Sequence, residues 1–177
     1  SLLKEYPKAL DRVIHLLESS AWGADYVIAH PHLLDELIQN QNWTKLIGVE
    51  LYQKTLGIIG LGNVGKEVAI RASAFGMRVI AFDKFIDNDF VKKHKIEVSK
   101  TIEDLISKVD FLSLNASLNK DTKGIINFDN ITNFKNGVVI INTARAGLVD
   151  NNAILFGLEK NILKAYLTDV LEEEPMV

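Results

Sequence analysis

Leu56-Gly57-Ile58-Ile59-Gly60-Leu61-Gly62-Asn63-Val64-Gly65 decides the fold. A short apolar run ends in Gly-x-Gly-x-x-Gly, and a helical pattern follows from Val64 to Phe75. A strand, a glycine turn and a helix in that order form a phosphate-binding unit. The first glycine permits the tight turn, the second lets a pyrophosphate approach the backbone, and the third lets helix and strand pack closely. Gly60, Gly62 and Gly65 stand at those three positions. The helix start adds unpaired N–H groups and a partial positive charge, both suited to phosphate.

Working outward, short apolar runs alternate with helix-like stretches from Lys54 onward. The expected strands are Thr55–Ile59, Arg78–Phe82, Ile96–Val98, Asp110–Leu114, Val138–Asn142 and Lys164–Asp169. Most are continuous Val/Ile/Leu-rich runs, the pattern of parallel strands covered on both faces. Helical patterns lie between them at Val64–Phe75, Thr101–Lys108, a short stretch near Phe128–Phe134, and Asn151–Glu159. Thr101 and Asp150 are suited to cap two of these. Such alternation predicts an α/β fold, a doubly wound parallel sheet in three α/β/α layers with right-handed crossovers. Residues 1–47 read as a separate, short piece. Leu10, Val13, Ile14 and Leu17 fall at helical spacing there, and an apolar helix face so poorly covered predicts an oligomer.

Composition narrows the function. The 177 residues are 47% apolar and 24% charged, which excludes a disordered or collagen-like chain. A net charge of −3 provides no basic field for nucleic acid. No apolar stretch reaches the length of a membrane span, so no membrane partner is expected. With zero cysteines there is no thiolate metal site or disulfide frame, and a cytoplasmic location is expected. The runs Lys92-Lys93-His94-Lys95 and Glu172-Glu173-Glu174 read as solvated faces.

Asp83 follows the second expected strand, eighteen residues after Gly65. A carboxylate there binds both ribose hydroxyls of an adenosine and repels the extra phosphate of NADP. One such charge pair at about 4 Å is worth roughly 1–4 kcal/mol, about a fivefold to several-hundredfold preference. Lys84 works against that repulsion from the next position, and NAD remains the expected cofactor. The plain alternative for Asp83 is a strand-end turn residue.

Four stretches in order carry a resemblance: Gly48–Gly62, Phe75–Asp83, Gly137–Asp150 and Thr168–Pro175. Together they resemble the cofactor domain of the D-isomer-specific 2-hydroxyacid dehydrogenases, the family that includes phosphoglycerate dehydrogenase. The resemblance implies a Rossmann fold, NAD, a small 2-hydroxy or 2-keto acid as substrate, and a homodimer. Residue by residue, it makes Arg145 the catalytic arginine that grips the substrate carboxylate and carbonyl. It makes Glu174 the acid that pairs with the catalytic histidine. Asn63 and Val64 would offer backbone N–H groups to the pyrophosphate, and Ala116 a backbone contact over the cofactor. Thr143 and Ala144 would lie beside the nicotinamide ribose, and Asp169 would meet the nicotinamide amide. Relatives usually have His-x-Pro where this chain has Asn115-Ala116-Ser117, so the geometry of that loop is expected to differ.

Two departures set expectations for activity. The family has about a hundred residues of substrate domain before its cofactor domain, and only some fifty precede Lys54 here. Its histidine, in Pro-His-x-Gly, would fall beyond Val177. Residues 1–47 are therefore expected to be a divergent or truncated N-terminal segment, either a preceding helix or a substrate-domain stub. Residues 48–177 are expected to be the NAD-binding domain, stopping short of that histidine. None of His15, His30, His32 and His94 inherits the role directly; His32 follows Pro31 but lacks the glycine and reads best as a helix-start residue. Hydride transfer between NAD and a D-2-hydroxy acid is the first functional reading, with essentially no turnover from these residues alone. A non-catalytic NAD-binding or NAD-sensing module is the alternative.

Overall fold

A computed structural model describes residues 49–171. Six strands form one sheet: β1 Thr55–Ile59, β2 Arg78–Phe82, β3 Glu97–Val98, β4 Phe111–Leu114, β5 Val138–Asn142 and β6 Leu163–Thr168. Their order is β3-β2-β1-β4-β5-β6, and every pair is parallel. The helices are α1 Asn63–Ala74, α2 Asn88–Lys93, α3 Ile102–Ile106 and α4 Asn151–Glu159, with 3-10 turns at Ile131–Asn133 and Ala146–Leu148. This is the expected doubly wound α/β architecture.

Successive strand residues divide between two cores, as a period of two requires. Leu56, Ile58, Val79 and Ala81 join Ala69 and Ala72 of α1 on one face, with Phe90 and Val91 of α2 packed against them. Ile59, Ile80, Leu112, Leu114 and Ile140 join Leu105 and Ile106 of α3 and Ala153 and Ile154 of α4 on the other. The three-layer arrangement follows from that partition.

Local chemistry sets the helix starts. Thr101 accepts from the Asp104 N–H at 3.1 Å, and Asp150 accepts from Asn152 and Ala153 at 2.9 and 3.3 Å. Helix α2 is absent from the sequence expectations. Asp87 caps it by accepting from the Phe90 N–H at 3.0 Å and also receives Lys66 Nζ of α1 at 2.5 Å. The stretch expected as a helix at Phe128–Phe134 is shorter, a single 3-10 turn over Ile131–Asn133. Strand β6 both begins and ends one residue earlier than expected, so Asp169 lies just past its end.

Asp104 yields a pH prediction. The Lys108 ammonium, bonded at 2.9 Å, and then the Ser99 hydroxyl at 2.7 Å hold its carboxyl below the ordinary value of 3.8. A depressed folded value means the stabilisation is complete above 3.8 and fades as pH falls through the lower folded value. Asp104→Asn is expected to flatten the acid limb of a melting-temperature profile below pH 4 and leave its slope near neutrality unchanged. An acid limb identical to the parent's would refute this.

Candidate functional site

The chain runs outward from β1 to β3 on one side of the sheet and from β4 to β6 on the other. The carboxyl ends of β1 and β4 therefore border the crevice where such sheets bind ligands. Every expected site residue that lies among the described residues follows a strand at this edge. Gly60–Gly65 follow β1, Asp83 follows β2, Ala116 follows β4, Thr143–Arg145 follow β5 and Asp169 follows β6.

The three glycines differ in what they make possible. Gly60 has φ +94°, and a Cβ there would sit 2.6 Å from the Ala116 backbone nitrogen. The turn after β1 and the loop after β4 thus touch backbone to backbone. Gly65 is more constrained: a Cβ would lie 2.1 Å from the Gly60 carbonyl oxygen. Gly62 is neither strained nor crowded. Its φ is −73°, and a Cβ would meet nothing within 4 Å. A bare backbone at that point leaves open space at the mouth of α1, whose N-terminus carries no side-chain cap. The first N–H groups of a helix have no intrahelical partner. Open space, an uncapped helix start and a close backbone turn fit the phosphates of a dinucleotide.

Asp83 is half-buried and already oriented. Its Oδ2 accepts the Leu61 N–H at 2.6 Å, and its Oδ1 accepts the Phe85 N–H at 2.8 Å. The first bond ties the acid to the glycine turn itself. A carboxylate has about four lone-pair sites, so both oxygens retain acceptor capacity for ribose hydroxyls. Lys84 points elsewhere, with Nζ 3.3 Å from Asp121 in the loop after β4. Both side chains are about three-quarters exposed, so the pair is weak.

Arg145 begins the 3-10 turn after β5, with an exposed side chain whose Nη1 donates to the Ala144 carbonyl at 2.6 Å. Thr143 is exposed, Ala144 is half-buried, and Asp169 is exposed at the neighbouring strand end. Asn142, fully buried, bonds into this turn, and sequence reasoning passed over it. The available signal was a polar residue closing the otherwise apolar run Val138–Ile141. Asn115, in the loop after β4, donates from Nδ2 to Ser113 Oγ at 2.9 Å and from its backbone N–H to the Ile59 carbonyl at 2.8 Å. Glu174, His15, His30, His32 and the apolar face at Leu10–Leu17 lie outside the described residues. His94 is the one histidine among them, and it ends α2 against Phe90, with ring centroids 4.5 Å apart. That helix joins β2 to β3, on the other side of the strand order from Arg145. Among the described residues no group of three His, Cys, Asp or Glu side chains is placed to hold a metal, and no helix is long and apolar enough to cross a membrane.

Comparison with known proteins agrees with this geometry. The family model for the D-isomer specific 2-hydroxyacid dehydrogenase NAD binding domain matches residues 21–177. The chain is 42% identical over 142 residues to D-3-phosphoglycerate dehydrogenase of Bacillus subtilis, covering 79% of this chain and 27% of that protein. It is 39% identical over 140 residues to hydroxypyruvate reductase of Thermotoga maritima, covering 78% of this chain and 44% of that one. Among solved structures, a glyoxylate reductase from Paecilomyes thermophila superposes with a TM-score of 0.71 at 33% identity, covering 96% of this chain and 49% of that one. The chain thus spans between about a quarter and a half of the proteins it matches. On the extent of the family match and these identities, the chain belongs to the D-isomer-specific 2-hydroxyacid dehydrogenase family and carries its NAD-binding domain.

Proposed function

We propose that this chain is the cofactor-binding part of an enzyme moving hydride between NAD and a D-2-hydroxy acid/2-keto acid pair. The observation that carries this reading is the bond from Leu61 to Asp83, which locks the ribose-binding acid to the phosphate turn. NAD, when bound, supplies the hydride acceptor or donor. The Asn63 and Val64 N–H groups at the start of α1 would hold the pyrophosphate, helped by the helix dipole. Thr143, Ala144 and Asp169 would line the nicotinamide end. Arg145 would hold the substrate carboxylate and polarise the carbonyl with a guanidinium fork, stabilising charge that develops on oxygen. Glu174 would raise the basicity of a histidine supplied from elsewhere in the protein.

Cofactor choice tests this reading. NAD(H) is expected to bind more tightly than NADP(H), and Asp83→Ser is expected to narrow the gap by about fivefold or more, from the roughly 1–4 kcal/mol of one charge pair. Calorimetric titration of both cofactors into both proteins measures it. Equal affinities in the parent, or an unchanged gap in Asp83→Ser, would return Asp83 to a turn residue. Binding of NAD without any 2-keto acid uptake would favour a sensing module instead.

The proposal extends to a cytoplasmic homodimer with a domain division near residues 47–48. Phe128 and Leu155 are each more than half exposed, and Phe128 lies 5.8 Å from Phe156, offering apolar surface to a second copy. Light scattering is expected to give twice the chain mass, and a monomer at all concentrations would refute the dimer.

A further inference from the structure

Asn142 is the last residue of β5, and its side chain is wholly buried. Its Oδ1 accepts the Ala144 N–H at 3.2 Å, and its Nδ2 donates to the Arg145 carbonyl at 3.0 Å. One carboxamide thus clamps the Ala144-Arg145 dipeptide from both sides. The Arg145 guanidinium in turn donates to the Ala144 carbonyl at 2.6 Å. Clamp and guanidinium are therefore linked through the same short segment.

The clamp is itself anchored to β6. Asn142 Nδ2 also donates to the Tyr166 hydroxyl at 3.1 Å, while the Ala144 N–H and the Arg145 carbonyl fix which way the amide faces. The Asn142 carbonyl accepts from the Thr168 hydroxyl at 2.9 Å, beside Asp169. No other side chain of this size supplies both a two-hydrogen donor and an acceptor at one strand end. Aspartate would set a carboxylate against the Arg145 carbonyl. Leucine would leave the half-buried Ala144 N–H without its Asn142 partner.

We infer that Asn142 is a positioning residue that holds Arg145 for its carboxylate ligand, with Tyr166 anchoring the Asn142 amide to β6. The inference rests on the reading of Arg145 as the substrate-binding arginine. Its chemistry concerns the ligand carboxylate and not the cofactor phosphates, which lie at the β1 turn. Loss of the clamp should therefore weaken carboxylate binding far more than NADH binding.

The experiment uses the full chain with saturating NADH and oxalate as the planar carboxylate probe. Asn142→Asp, Asn142→Ala, Tyr166→Phe and Arg145→Ala are compared by oxalate titration, NADH titration and backbone ¹⁵N relaxation over residues 143–147. Asn142→Asp is expected to weaken oxalate about tenfold, the scale of one lost buried hydrogen bond, while NADH changes by about threefold or less. Tyr166→Phe is expected to weaken oxalate about two- to fivefold with its fold intact, and it decides the matter if the Asn142 variants do not fold. Backbone order should fall at 143–147 and hold elsewhere. Parent-like oxalate affinity and parent-like order in Tyr166→Phe and in any folded Asn142 variant would overturn the inference. An Arg145→Ala chain that binds oxalate like the parent, or a parent that takes none, would overturn the underlying reading instead, while the relaxation data would still test the clamp.

Discussion

Gly65→Ala is expected to remove NAD binding together with much of the domain's stability, whereas Gly62→Val weakens the binding with far less effect on stability. The two glycines are three residues apart in one motif, and the structure gives them different reasons to be glycine. A Cβ on Gly65 would meet the Gly60 carbonyl oxygen at 2.1 Å, a backbone atom that no rotamer change can move aside. Helix α1 would have to lift from β1, disturbing Ala69 and Ala72 in their core. Overpacking with backbone displacement costs about 3 kcal/mol or somewhat more, which for a domain of this size lowers the melting temperature by about 10 °C. Gly62 has an ordinary φ of −73° and nothing within 4 Å of a Cβ, so valine fits the protein. What valine excludes is a ligand against that backbone. Gly62→Val should melt within about 5 °C of the parent, since valine in place of the N-cap glycine of α1 costs about 1 kcal/mol. Its NAD affinity should fall by about a hundredfold, the scale of one strong hydrogen bond to a charged group. Differential scanning calorimetry and NAD titration on both variants separate the cases. NAD bound by Gly62→Val as tightly as by the parent would place the phosphates somewhere other than this turn.

The sequence made the sheet legible because its strands are covered on both faces. Thr55–Ile59, Arg78–Phe82 and Val138–Asn142 match the expected spans residue for residue, since unbroken apolar runs leave little freedom at their ends. Helix α2 escaped notice for the opposite reason. It is six residues long with no buried residue, and its Lys92 and Lys93 belong to a charge run that reads as surface. Its cap, Asp87, is also held by Lys66 from α1, a tertiary contact that periodicity does not reveal. The same division holds in the site. Gly60, Gly62, Gly65 and Asp83 were readable because each answers to a local rule of turn or strand end. The bond from Leu61 to Asp83 spans 22 residues, and the one from Asn142 to Tyr166 spans 24. Both depend on strand neighbours that are adjacent only after folding. Sequence spacing therefore picks out turn and strand-end groups, and leaves out the long-range bonds that hold them still.

The remaining large effect belongs to Arg145. Arg145→Ala is expected to weaken oxalate, or any small 2-keto acid, in the NADH complex by about 10- to 150-fold, because hydrogen bonds to charged groups are worth about 1.5–3 kcal/mol. Arg145→Lys should recover only part of this, since an ammonium is a point charge and offers no planar fork to a carboxylate. NADH affinity should change much less, because the proposed phosphate and adenosine sites follow β1 and β2 while Arg145 follows β5. Stability should barely move: the side chain is exposed, and its one hydrogen bond reaches only the adjacent Ala144 carbonyl. That combination is diagnostic. A structural arginine would lower the melting temperature and spare the ligand, and a purely cofactor-binding one would weaken NADH and oxalate together. Titration of oxalate, pyruvate and glyoxylate by quenching of bound NADH fluorescence, with melting curves alongside, distinguishes the three. Should lysine restore the full affinity, charge alone would suffice, and the guanidinium geometry maintained around Asn142 would lose its functional meaning.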